Sequence, residues 1–311
     1  MASDYSARDR DAKFTFYCPL WKRNGISIEL FDNYWRDVHG PVCARLPGQF
    51  QYWQWHVAHS GGEIFPAEPG VEYGGADEER FDGIAELTFR SIEDRQAWLT
   101  AAAILMDDEH NLFRKAIGYL TGSGNSRTYV DRIEDGAPNG SQGVQKYHVM
   151  LKMTGPVEDT ARSDEFRRYL TGTFAASVSR SDHVLKFRLH LFEPPDVSRP
   201  PAAGVEHADP PERLVQAAFE IAFRSAVERE LFFSSQAYRD AVKDLARFVR
   251  QFIPFPERTG YTFVYDGRMT LAGRRGSRTA ECITSIGATN QLRDDIADLM
   301  GIREPNPPRA R

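Results

Sequence analysis

The chain repeats itself at an offset of about 134 residues, and that duplication constrains its fold more than any other feature. Ala85-Glu86-Leu87-Thr88-Phe89-Arg90-Ser91 returns as Phe219-Glu220-Ile221-Ala222-Phe223-Arg224-Ser225. The same offset sets Lys13–Pro19 over Tyr147–Met153, His56 over His190, and Thr128-Tyr129-Val130 over Thr262-Phe263-Val264. Each match is weak, but chance does not keep four segments on one offset.

Each copy reads strand, helix, strand, strand, helix, strand. In the first, β-branched and aromatic residues mark a strand over about Lys13–Cys18. Ser27 is an N-cap for a helix carrying Leu30, Phe31, Tyr34, Trp35 and Val38 on one face. His39-Gly40-Pro41 is expected to stop that helix, because Pro lacks the N–H a further turn needs. Strands follow at Phe50–Val57 and Phe81–Phe89, then a helical stretch from about Ile92 to Leu120 and a strand near Arg127–Asp131. The second copy runs similarly from Gln145 to Asp266, with a Pro-rich loop at Pro194–Pro211.

This β-α-β-β-α-β order is ferredoxin-like, an α+β fold whose antiparallel sheet has helices on one face only. Two repeats can cover each other's open faces, so the expected architecture is two antiparallel sheets pairing into an intrachain α/β barrel, plus a C-terminal helical tail. The divisions are a flexible N-terminus over 1–12, repeats at 13–135 and 144–267, and an extension over 268–311. In that extension Ala280–Ile286 reads as extended and Asn290–Met300 as a helix with Leu292, Ile296 and Leu299 on one face. Such a face needs a partner, either the repeats themselves or a second copy of the chain in a homodimer.

The strand alternation puts Trp53, Trp55 and Val57 on one side and Tyr52, Gln54 and His56 on the other. The apolar side is expected to meet the helices and the mixed side to lie between the sheets. Buried charges there must be paired, so Glu220 is expected to find Arg188 or Lys186.

Composition excludes several classes. A net charge of −5 offers no basic face for nucleic acid. No run approaches the ~20 apolar residues of a membrane helix, and Met1–Lys13 lacks the apolar stretch of a secretory signal. Cys18, Cys43 and Cys282 have no metal-ligand spacing and suggest no disulfide framework. A cytoplasmic location fits best, with no metal and no cofactor expected.

The residues Ile26-Ser27-Ile28-Glu29-Leu30-Phe31-Asp32-Asn33-Tyr34-Trp35-Arg36-Asp37-Val38-His39-Gly40-Pro41, preceded by Lys22-Arg23 and followed by Leu46-Pro47-Gly48, resemble the EthD family pattern. The resemblance covers about Lys13 to Val130; the position matching His39-Gly40-Pro41 in the second copy falls near Thr173-Phe174-Ala175. It implies the dimeric α/β-barrel fold, usually built from two separate chains. Related barrels include cofactor-free monooxygenases, decarboxylases, dehydratases and cyclases acting on small aromatic or enolisable compounds. The expected function is therefore a cofactor-independent acid/base enzyme of lyase or cyclase type on such a compound. A cofactor-free monooxygenase and a non-catalytic ligand-binding barrel remain the alternatives.

Two histidines are catalytic candidates. His39, at an expected helix C-terminus, can donate or accept a proton near neutral pH, or it can simply bond a nearby carbonyl. His110 shares a helical face with Met106 and Phe113, and Asp107 lies near it, so an Asp107–His110 pair can serve as base or be a solvated surface pair. Tyr34, Trp35, Trp53, Trp55 and His56 are the candidate walls of an aromatic pocket, or else ordinary core.

Overall fold

The computed structural model describes residues 9–59, 65–194 and 202–305. Strand β1 (Phe14–Lys22) leads into helix α1 (Ile28–Tyr34), whose first turn is capped by Ser27 Oγ accepting from the Leu30 N–H at 3.1 Å. The helix does not stop at His39-Gly40-Pro41. It widens into a π turn over Trp35–His39, in which the Gly40 N–H reaches back to the Trp35 carbonyl, and continues as α2 (Gly40–Cys43). Pro41 opens that last segment, where its missing N–H costs little.

Next come β2 (Gln49–Val57) and β3 (Gly83–Phe89), then two helices, α3 (Ile92–Ala101) and α4 (Ala103–Leu112). The single helical stretch expected to Leu120 ends eight residues earlier. Strands β4 (Phe113–Ala116) and β5 (Tyr119–Leu120) instead run antiparallel along β1, and β6 (Ser126–Asp131) follows. The second copy is β7 (Gln145–Met153), α5 (Thr160–Arg168), a π turn over Tyr169–Phe174, α6 (Ala175–Ser179), β8 (Val184–Leu191) and β9 (Ala217–Phe223). Helices α7 (Ala226–Phe233), α8 (Gln236–Val242) and α9 (Leu245–Phe248) precede the 17-residue β10 (Val249–Tyr265).

The sheet closes on itself because each copy's last strand belongs to both copies. The first half of β10 pairs with β7 and its second half with β2. Likewise β4 and β5 lie along β1, while β6, further along the same stretch of chain, pairs with β8. The order β4-β1-β3-β2-β10-β7-β9-β8-β6 is unbroken, and its two ends are joined where the Glu193 N–H, just after β8, donates to the Leu120 carbonyl of β5, the strand that pairs with β1. The chain is an intrachain α/β barrel, with helices outside and side chains inside.

One facing is the reverse of that expected. In β2, Tyr52 stacks on Phe263, Gln54 bonds the Trp35 carbonyl at 3.0 Å, and His56 bonds Asp32 of α1 at 2.7 Å, so this side meets the helices. Trp53, Trp55 and Val57 point into the barrel with Tyr17, Phe81 and Phe255. In the second copy Phe187, Leu189 and Leu191 pack with the helices as expected. The registers explain the difference: Trp53 lies opposite Glu86, whereas Arg188 lies opposite Glu220. Trp53 therefore matches Arg188, and Trp55 matches His190, one residue off the offset that sets His56 over His190. A one-residue slip exchanges the faces of a strand.

The barrel interior is a paired polar layer. Glu86 accepts from Trp55 Nε1 at 3.0 Å and Arg188 Nε at 3.1 Å, tying the two copies together. Glu220 pairs with Lys186 at 2.9 Å and Lys146 at 3.3 Å; Arg188 serves Glu86 and Asp9 instead. Burial pushes the Glu220 carboxyl up, but Lys186 and Lys146 outweigh it and hold the group well below the usual carboxylate range.

At the N-terminus, residues 9–12 are docked rather than loose: Asp9 accepts from the Thr128 N–H at 2.6 Å, and Ala12 is buried. The flexibility expected for the first eight residues lies outside the described residues. In the C-terminal extension, 280–286 is not extended but lies in helix α11 (Ser277–Ile286), preceded by α10 (Leu271–Arg275) and followed by α12 (Asp294–Leu299). Gly276 and the left-handed Gly287 cap α11 at either end, overriding the β propensity of Ile283 and Thr284. This extension packs on the first copy: α10 contacts α2, and the Arg278 N–H donates to Asp37 Oδ1 at 3.0 Å. Among the described residues, no helix is long and apolar enough to cross a membrane.

Candidate active site

A cavity of about 460 Å³ lies between the sheet and the helices of the first copy. Its floor is the outer face of β1 and β3 (Cys18, Leu20, Ala85 and Leu87), and its walls come from the π turn, α2, α3, α4 and the loop at 205–208. Phe16, Trp35, Trp98 and Phe113 make it predominantly apolar. That volume falls within the ~300–1,000 Å³ typical of small-ligand sites. Burial pushes the Cys43 thiol, also on the wall, up to about 12, so it is a protonated apolar side chain rather than a nucleophile.

His39 lines this cavity from the last position of the π turn. The residue is 6% exposed, and Nδ1 lies 2.9 Å from Asp108 Oδ2 on α4. Asp108 also accepts from the Tyr34 hydroxyl at 2.6 Å and from Asn111 Nδ2 at 3.2 Å. The hydrogen bond from His39, aided by those from Tyr34 and Asn111, outweighs partial burial and holds the Asp108 carboxyl at about 2. Tyr34's own donation to Asp108 pushes its phenol up to about 12. An ionised Asp108 requires a proton on His39 Nδ1, which leaves Nε2 of the neutral ring as the atom able to take a proton.

Two backbone positions hold this arrangement in place. A Cβ on Gly40 would come within 2.6 Å of Phe263 Cζ and 2.8 Å of Gln54 Nε2, so only glycine lets the turn bearing His39 press against the sheet. Gly48, at φ +87°, would place a Cβ 2.1 Å from the Asp94 carbonyl oxygen.

Of the expected site residues, His39 and Trp35 line the cavity and Tyr34 supports it through Asp108. Trp53 and Trp55 stack on each other inside the barrel at 5.9 Å, away from the cavity. His56 lies behind Trp35, ring centroids 4.6 Å apart, and binds Asp32, which Arg258 of β10 also clamps at 2.6 Å. Burial lowers the His56 pKa against the pull of Asp32, which suits a neutral structural imidazole.

Asp107 and His110 are exposed and do not line the cavity. The inward stripe of α4 is Leu105, Asp108, Glu109 and Leu112, a spacing of three, four and seven that was legible in the sequence beside the stripe through Met106 and His110. Glu109 faces the cavity too, with Oε2 lying 3.1 Å from Nε2 of His207. His207 had no sequence signal: it belongs to the Pro-rich loop of the second copy. The loop is pinned to the first copy by the Glu206 N–H on the Arg114 carbonyl and by Asp209 on Lys115. Among the described residues no cluster of His, Cys, Asp and Glu is placed to hold a metal ion.

Paired ferredoxin-like units closed into one barrel, with a ligand-sized cavity under the helices, define a dimeric α/β-barrel protein. Residues 23–116, within the first copy, match the family model described as the EthD domain. No curated protein matches the chain in sequence. Among solved structures it resembles an anthrone oxidase-like protein at 11% identity and TM-score 0.50, covering 82% of this chain and 94% of that one. A candidate monooxygenase from Lactobacillus acidophilus NCFM aligns at 10% identity and TM-score 0.44, covering 81% and 96%. At these identities the likeness is one of fold.

Proposed function

We propose that this chain is an acid/base enzyme of lyase type, in which His39 moves a proton to and from a small aromatic or enolisable compound held in the cavity of the first copy. One observation carries this reading: His39, oriented by Asp108, opens onto an apolar space large enough for a planar organic molecule. A carboxylate on Nδ1 fixes the tautomer and stabilises the imidazolium that forms when Nε2 takes a proton. The aromatic walls suit a flat, weakly polar substrate, and burial strengthens the proton-transfer electrostatics. Side chains alone can perform this chemistry, so the reading assigns it no cofactor.

The test is hydrogen exchange at the acidic CH₂ of β-tetralone in D₂O, followed by NMR. The wild-type chain is expected to accelerate exchange, and His39→Gln to lower that rate about 100-fold, at the low end of general-base effects. An unaltered rate in a folded H39Q variant overturns the proposal.

A further inference from the structure

The cavity has a second ionisable pair, Glu109 and His207, which meet at ion-pair distance without forming a hydrogen bond. His207 Nδ1 lies 3.1 Å from the carbonyl oxygen of Ala116. A carbonyl only accepts, so Nδ1 carries a hydrogen. Nε2 is then the remaining nitrogen, and it sits 3.1 Å from Glu109 Oε2. Were the ring neutral and Glu109 ionised, a lone pair would face a carboxylate oxygen across that gap. The contact becomes favourable when one further proton resides on the pair, on Nε2 or on the carboxyl. Asp108 leaves His39 Nε2 free to accept a proton, whereas the Glu109–His207 contact is the place in the cavity where a proton to be donated can sit. His39, Glu109 and His207 border the same cavity, and their α4 partners Asp108 and Glu109 are adjacent in sequence.

We propose that the Glu109–His207 pair is the general acid of this cavity, acting alongside His39 as base, and that the substrate class is a β-hydroxy ketone that loses water. The inference rests on the reading of His39 given above. In the step, the C–H bond beside the carbonyl breaks and its proton passes to His39 Nε2. The freed electron pair forms the carbon–carbon double bond. The C–O bond at the β-carbon breaks with its electron pair on oxygen, which takes the proton held by Glu109 and His207 and departs as water. His39 ends protonated and the acid pair deprotonated, and solvent restores both. The second copy is then no mere scaffold, since His207 supplies half of the acid. His207 acts through Glu109 and is a positioning residue in this scheme.

The experiment uses the full chain and two probes: β-tetralone for proton abstraction, and 3-hydroxy-1-tetralone, whose dehydration yields fluorescent 1-naphthol. Glu109→Gln is expected to lower the ratio of dehydration to exchange about 100-fold, and His207→Gln at least about tenfold. Glu109→Asp, which keeps the carboxyl, should recover part of that loss, a rescue that a packing role would not give. H39Q should lower both reactions. A wild-type ratio in folded E109Q and H207Q overturns the proposal, as does a wild-type chain that exchanges β-tetralone but leaves the hydroxytetralone intact. The latter outcome spares the base, whereas failure of exchange itself removes the base reading and this inference with it.

Discussion

The two copies share an element order down to the π turn in their first helix, yet one encloses a cavity and the other is packed solid. His39 and Phe174 each close that turn. Ala85 and Phe219 occupy the same place on β3 and β9, opposite Cys18 and Val149. In the second copy the two phenylalanine rings sit 5.4 Å apart and are almost wholly buried, filling the space that the first copy leaves open. Side-chain volume at equivalent positions separates an open cavity from a filled core. Cavity and core are alternative uses of one layer between helices and sheet.

That contrast can be broken from the solid side first. Phe219→Ala should remove about 3–5 kcal/mol of stability, measured by denaturant unfolding, because the surrounding aromatic core cannot collapse onto the void. An effect below about 1 kcal/mol would mean that the second copy is loosely packed and the contrast overstated.

From the open side, Ala85→Phe should fill the cavity as Phe219 fills its counterpart. β-Tetralone exchange should fall about tenfold or more while the midpoint of unfolding holds or rises. Retained exchange would place the ligand elsewhere.

The glycines of the two π-turn regions sharpen the comparison further. Gly40→Ala should cost about 1–3 kcal/mol, since its Cβ would press on Phe263. A Cβ on Gly172 would meet nothing within 4 Å, so Gly172→Ala should stabilise by about 0.4–1 kcal/mol. Equal responses at the two sites would show that the close approach in the first copy is not required.

The smallest effect concerns acid stability. Asp108 titrates at about 2 in the folded chain against an ordinary 3.8, so the stability it contributes is complete above 3.8 and is lost as the pH falls through about 2. Asp108→Asn should flatten that part of the stability profile, modestly because the carboxyl is 25% exposed and screened by solvent. An unchanged acid limb in the variant would argue that the His39–Asp108 bond is not maintained in solution.

Much of the fold was legible because it rests on local chemistry repeated twice. Strand and helix positions followed from periodicity, Ser27 from its capping chemistry, and the EthD character from the run ending in His39-Gly40-Pro41. The site was only partly legible. His39 and Trp35 line the cavity and Tyr34 bonds Asp108, but sequence spacing paired Asp107 with His110 and assigned no carboxylate to His39, whose partner is the next residue, Asp108. The break between α3 and α4 at Ala102 resets the helical phase, and the buried face then runs through Leu105, Asp108, Glu109 and Leu112.

The sequence by itself determined the duplication, the β-α-β-β-α-β order of each copy, and the motif that places His39. Tertiary structure alone decided which face of β2 looks inward, how each last strand is shared to close the ring, and that His207 of one copy meets Glu109 of the other. The physical reason is reach. Propensities and caps act over a few residues, whereas strand register, helix phase and loop docking are settled by contacts between segments far apart in the chain. There, a shift of one residue exchanges a buried face for its opposite.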